Sequence, residues 1–201
     1  MISVDGRTTS MEIKEFHNLE EILLQIMDGG ELEGRVVTDV LVNNESFSEI
    51  YPHQAEDIEA EEITSVEVKS VPVVSMALDI ATELDKVVVL MDRGARRVAD
   101  LFRQAEDAEA LEVYQDLMDV TRDFLNMIGV LRGESLAKGS GSFEASADEI
   151  SNLFSEMMEV LENEDWILLA DLLEYEFIPA MTRWKAVTAE LQENFRGLRE
   201  E

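Results

Sequence analysis

The chain has 201 residues, no cysteine, and a formal charge of −29 from 45 acidic and 16 basic side chains. That length supports one large domain or two small ones without covalent staples, and the lack of cysteine excludes disulfides, thiolate metal sites and a cysteine nucleophile. Residues 1–71 carry −13 and residues 72–201 carry −16, so no Lys/Arg-rich surface offers itself to nucleic acid or to an anionic membrane.

Ile2 and Val4 alternate with Ser3 and Asp5, which predicts a first strand. Gly6-Arg7-Thr8-Thr9 supplies a turn, and Met11 and Ile13 alternate as a second strand. Asn18 then reads as a helix N-cap, with Glu21 completing a capping box. The helix presents Leu19, Ile22, Leu23 and Ile26 and stops at Gly29-Gly30. Residues 35–42 are rich in β-branched side chains, with Val36, Thr38, Val40 and Val42 expected on one face. Asn43-Asn44 predicts a tight turn, because Asn tolerates positive φ. Residues 45–51 are expected to return as a short strand, and Tyr51-Pro52-His53-Gln54 to cross over. Residues 62–71 alternate again, with Val66 and Val68 on one face.

The order strand, strand, helix, strand, strand resembles the β-grasp arrangement of ubiquitin-like domains. A ferredoxin-like split or an irregular α+β layer gives a similar string. The resemblance implies a small α+β domain over residues 1–71 and implies nothing about function.

Residues 72–201 change character. Pro72 sits where a helix starts, and Val73, Met76, Ile80, Leu84, Val87, Met91, Val98 and Leu101 follow at helical spacing across Gly94. Asp107 is placed to cap a second helix with Leu111, Tyr114, Leu117, Phe124, Ile128 and Leu131. Residues 133–143, centred on Gly139-Ser140-Gly141-Ser142, read as a flexible loop. Ser146 and Glu149 form a capping box for a third helix with Ile150, Leu153, Phe154, Met157 and Leu161. A turn near Asn163-Glu164-Asp165 leads to a fourth helical region, in which Pro179 is expected to kink or divide the helix. The expected class is α+β: a β-grasp-like domain followed by a mainly antiparallel four-helix bundle.

Catalytic motifs are missing from this pattern. His17 and His53 are the two histidines, and neither accompanies a strained Gly-x-Ser-x-Gly turn. A carboxylate-bridged di-metal bundle uses Glu-x-x-His pairs, but residues 72–201 contain no histidine. Asp171, Glu174 and Glu176, and Asp116 with Asp119, read as solvated faces. Phosphate-binding glycine loops are missing as well. The expectation is a protein that is not an enzyme, with no cofactor and no metal.

Two groups stand out as candidate partner-binding residues. Arg93, Arg96 and Arg97, with Arg103 beyond them, form a basic cluster on the first long helix. They read first as ion-pair partners for the acidic bundle, and second as a contact for a carboxylate-bearing partner. Trp166, Tyr175, Phe177 and Trp184 crowd around Pro179; such aromatics either anchor an interface or plug the end of a bundle. The methionines at helical spacing read as core.

The functional expectation is therefore a binding or assembly protein, adaptor-like or chaperone-like, that acts through its helical bundle. Small acidic secretion chaperones, including flagellar export chaperones, are broadly similar in composition. A homodimeric structural protein is the alternative, and a metal-dependent enzyme using arginine and carboxylates a further one. The longest apolar run, Val87-Val88-Val89-Leu90-Met91, lies between Lys86 and Asp92 and falls far short of the roughly 20 residues of a membrane span. No signal peptide is visible, so a cytoplasmic location is expected.

Overall fold

The computed structural model describes residues 1–48, 54–133 and 141–200. The chain is α+β and divides into two compact units, Met1–Met76 and Ala77–Glu201. The expected crossover at residues 51–53, including His53, lies outside the described residues, as does most of the expected loop at 133–143.

In the first unit, β1 (Ile2–Val4) turns back into β2 (Arg7–Thr8). The turn is Asp5-Gly6, with φ of 49° and 75°. Two successive positive φ values match the twist of the flanking strands, and Gly6 adopts its value without a Cβ clash. The turn therefore comes one residue earlier than expected, and Arg7 and Thr8 belong to the strand. Met11 and Ile13 do not form a strand. Residues Ile13–Glu15 make a 3-10 turn, and both side chains pack on the core instead.

Helix α1 (Leu19–Asp28) starts as expected: the Asn18 side chain accepts from the Glu21 N–H at 3.1 Å. The reciprocal bond falls one residue upstream, because the Glu21 carboxylate accepts from the His17 N–H at 2.8 Å. The Asn18 position is paired as an isolated bridge with Glu59, and the Leu19 N–H donates to the Ile58 carbonyl.

Strands β3 (Arg35–Val42), β4 (Glu45–Ser46) and β5 (Val66–Pro72) complete a five-stranded sheet of order β2-β1-β5-β3-β4. β1 runs parallel to β5, and the other pairs are antiparallel. Asn43 and Asn44 take φ of 54° and 70°, the expected turn. Its return strand is only two residues long.

One face of this sheet carries Ile2, Val4, Val40, Val42, Val66 and Val68, and it forms the core with Leu19, Ile22 and Ile26 of α1. Val36 does not share that face. The register against β5 shifts between Val37 and Asp39, so Val36 lies opposite Val71 while Val40 lies opposite Val68. A bulge at Thr38 inserts one residue, and every side chain before it changes face.

The second unit is helical. Helix α2 (Val73–Arg103) follows β5 directly after Pro72 and runs unbroken for 31 residues. Gly94 lies inside it, where an added Cβ would sit 3.3 Å from Leu117 Cδ1 of α3 (Asp107–Gly133). The glycine is a point of close approach rather than a helix end. Asp107 is itself the first helical residue.

Helix α4 (Gly141–Glu162) begins well before the expected cap. Ser146 is therefore inside the helix and buried. Glu144, Ala145 and Ala147 are helix formers, so nothing stops the helix near Ser146. The chain continues through α5 (Trp166–Leu172), a π-helical turn (Leu173–Phe177) and α6 (Ile178–Glu200). Pro179 does not divide this helix. The turn before it widens, with the Ile178 N–H reaching the Leu173 carbonyl, and the looser spacing accommodates the proline ring and its missing donor.

Two links between helices share a geometry. After α2, Ala105 takes φ of 58°, its N–H donates to the Phe102 carbonyl, and the Glu106 N–H donates to the Leu101 carbonyl. After α4, Glu164 takes φ of 53°, with the same two bonds from Glu164 to Leu161 and from Asp165 to Val160. Both are Schellman caps built without glycine.

Candidate functional site

The helical unit buries apolar side chains from each of its helices, and the candidate aromatics differ in how they meet this core. Trp184 and Phe177 are fully buried. Trp184 meets Phe124 of α3, so it joins α6 to α3 from inside. Trp166 is half-buried and stacks on Phe102 of α2, with ring centroids 5.3 Å apart and planes within 4°. Tyr175, in the π-helical turn, is 71% exposed. The four residues thus occupy one stretch of chain, but of these only Tyr175 stands in solvent.

The arginines are mostly engaged. The Arg96 guanidinium forks onto Asp92, with both bonds at 3.0 Å. Arg97 donates to Glu109 at 2.6 Å across the α2–α3 link. Arg103 donates to Asp171 at 2.7 Å and to Glu174 at 2.5 Å, and these two carboxylates hold its guanidinium pKa above the ordinary value. Asp92 and Glu174 raise that of Arg96. Arg93 makes no ion pair among the described residues. Asp119 pairs with Arg122 at 2.9 Å, so that acidic pair is partly neutralised. Tyr114 is buried, which pushes its phenol up to about 12 and keeps it neutral.

These contacts assemble a surface beside the π-helical turn. Ile167, Asp171 and Tyr175 fall four residues apart and share one face, with Leu168 flanking it. Ile167 is 55% and Leu168 42% exposed. Asp171 is fixed within this face by Arg103. Sequence reasoning passed over Ile167 and Leu168. The run Trp166-Ile167-Leu168-Leu169-Ala170 carries the signal, because five consecutive apolar residues on a helix fill more than one face.

Two concave regions lie elsewhere in this unit. A groove of about 340 Å³ between α2 and α6 is lined by Val88, Val89, Met181, Thr182, Asp92 and Lys185. A cleft of about 520 Å³ between α4 and α6 is lined chiefly by Asp148, Glu149, Glu156, Glu176 and Arg183, and Arg183 is paired to Glu149. Among the described residues, no group of three His, Asp or Glu side chains is arranged to hold a metal ion. No helix among them is long and apolar enough to cross a membrane.

Residues 79–187, more than half of the chain, match the family described as "Domain of unknown function (DUF8042)". The chain belongs to the DUF8042 family. Residues 1–71 match a second one, "Domain of unknown function (DUF8043)". No curated protein and no solved structure matches the chain. The DUF8042 segment contains Arg93, Arg96, Arg97 and Arg103, the exposed face at Ile167 and Tyr175, and the buried Trp184. The last turns of α6, with Leu191 and Phe195 in the core, lie beyond it.

Proposed function

We propose that this protein is a non-catalytic binding or assembly module whose helical unit captures a partner segment. The observation that carries this reading is the stretch from Trp166 to Phe177. It buries Leu169, Leu172, Leu173 and Phe177 within its own unit while leaving Ile167, Leu168 and Tyr175 exposed. A helix apolar on two sides has one side unused by its own fold. A π-helical turn, a feature frequent at functional sites, sets Tyr175 on that side. The charge of −16 over residues 72–201 favours a partner segment with an apolar stripe and basic flanks, docked as a helix against this face. In this reading the protein is cytoplasmic, works without a cofactor and contacts neither nucleic acid nor membrane.

The architecture behind the reading is a β-grasp layer followed by a four-helix bundle. Strand order β2-β1-β5-β3-β4, β1 parallel to β5, and α1 between the two hairpins support the first. Contacts of Gly94 with Leu117, Phe124 with Trp184, Glu149 with Arg183 and Asp85 with Thr188 support the second. The fourth helix is then the composite of α5, the π-helical turn and α6.

The test is affinity capture from native lysate with the full chain and with the triple variant I167S/L168S/Y175S, followed by reconstitution with the purified prey. A stoichiometric partner lost in the variant supports the reading. A partner held equally by both sinks this face as the site. Light scattering on the same two proteins separates the alternative: a dimer that dissociates in the variant would assign the face to a second copy of the chain.

A further inference from the structure

The N-terminal unit has four basic residues against seventeen acidic ones over residues 1–71, yet two of the four, Arg7 and Arg35, line a single cleft of about 520 Å³. Val4, Asp5, Thr8, Thr9 and Glu31 complete its wall. A volume in the range of roughly 300–1,000 Å³ is that of small-ligand pockets.

Sheet register explains why the two guanidiniums meet there. Arg7 lies opposite Val4 on β1 and shares its face. Arg35 lies opposite Pro72 and shares the face of Ser70, because the bulge at Thr38 has switched the parity of β3. Without that inserted residue, Arg35 would point to the other side of the sheet. Glu31 comes from the link that follows α1, so the cleft opens where the helix stops covering the sheet.

Arg35 is held as a fixed donor. Its Nε donates to Ser70 Oγ at 2.8 Å, and its Nη2 donates to the Ser70 carbonyl at 2.9 Å and faces Asp5 Oδ2 at 3.0 Å. Asp5 is itself anchored by the Ser70 N–H and hydroxyl, at 2.7 and 2.8 Å. One edge of the guanidinium is thus occupied, and no contact among the described residues takes Nη1. Arg7 makes no ion pair among the described residues. A guanidinium locked by its neighbours on one side and open on the other is preorganised for a planar anion.

The charge pattern narrows the ligand. Two guanidiniums and two carboxylates line the cleft, and Asp5 is already paired with Arg35, so a phosphate dianion would meet Asp5 and Glu31 as well as the arginines. A molecule carrying one carboxylate and one ammonium matches both signs. We propose that this cleft binds a small zwitterion of the amino-acid class, its carboxylate against Arg35 and Arg7 and its ammonium toward Glu31.

The experiment is a nitrogen-15 NMR titration of the full chain with each standard amino acid, with acetate, methylammonium and inorganic phosphate as single-charge probes. At least one amino acid is expected to shift the amides of Arg7, Thr8, Thr9, Glu31 and Arg35 saturably, at millimolar concentration or below. R7M and E31Q should each weaken that binding by about tenfold, the loss of one charge-assisted contact. Both side chains are exposed, so the melting temperature of these variants should stay at the wild-type value; Arg35 is left intact because it ties β3 to β5 and to the turn at Asp5. No saturable shift with any amino acid would overturn the proposal. So would shifts confined to other residues, tighter binding of phosphate at the same amides, or unchanged affinity in both variants.

Discussion

Trp184 of α6 meets Phe124 of α3 edge to face, with ring centroids 5.2 Å apart and planes at 82°. Both side chains are at most 2% exposed. Truncating a buried aromatic removes its transfer free energy and leaves a cavity, so W184A should cost about 3–5 kcal/mol by chemical denaturation. W184F keeps a ring and should cost clearly less. Equal losses in the two variants would show that the indole, rather than the packed volume, is what matters at this position.

The two glycine-free Schellman caps predict an easy gain in stability. A non-glycine residue in the left-handed region costs roughly 1–2 kcal/mol, and glycine there returns part of that as unfolded-state entropy. A105G and E164G should each stabilise the helical unit by about 0.5–1 kcal/mol. They lie at opposite links, so the double variant should be additive. A lower denaturation midpoint in both single variants would contradict the cap geometry.

Asp5 predicts a pH dependence with a definite sign. The Ser70 hydroxyl, the Ser70 N–H and Arg35 hold its carboxyl below the ordinary carboxylate value. Its contribution is therefore complete above the unfolded value of about 3.9 and disappears as pH falls through the lower folded value. D5N tolerates the positive φ but loses the charge. The melting temperature of D5N should lie below wild type by a constant gap from neutral pH to about pH 5, and the gap should close in stronger acid. A gap that persists unchanged at the lowest pH would assign the effect to geometry instead of charge.

His17 gives the opposite sign. Its ring Nδ1 lies 3.0 Å from the Glu21 carboxylate, which raises its pKa. Any stabilisation from this pair is complete below the unfolded histidine value and lost as pH rises through the higher folded one. H17Q should therefore differ from wild type in mildly acidic buffer and match it in alkaline buffer. An NMR titration of the His17 ring that falls at or below the free-histidine value would refute the contact.

A net charge of −29 makes the folded state self-repelling. Screening length falls to about 8 Å at physiological ionic strength and further beyond it, so moderate salt should raise the melting temperature. The ion pairs of Arg96, Arg97 and Arg103 oppose this, since salt weakens them too. Melts across a salt series decide the balance: a flat profile would mean that pairing and repulsion cancel.

Much of this architecture is written locally. Asn18 caps α1 because its side chain and the N–H it satisfies are three residues apart, and Asn43-Asn44 turns because of its own backbone preferences. The amphipathic spacing of Leu84, Met91, Val98, Leu117, Phe124, Leu153 and Met157 marks helices and their buried faces, because periodicity is a property of neighbours in sequence. Tertiary contacts decided the rest. Arg103 reads as part of a basic patch until the fold brings Asp171 to it from 68 residues away. Trp184 and Tyr175 carry the same aromatic signal, yet one is buried against Phe124 and one is 71% exposed, because packing against α3 decides which side of the helix faces the core. The bulge at Thr38 leaves no mark in the alternation of β3, and only pairing with β5 reveals that Arg35 shares a face with Ser70. A register is a relation between two strands, so one strand's sequence does not contain it.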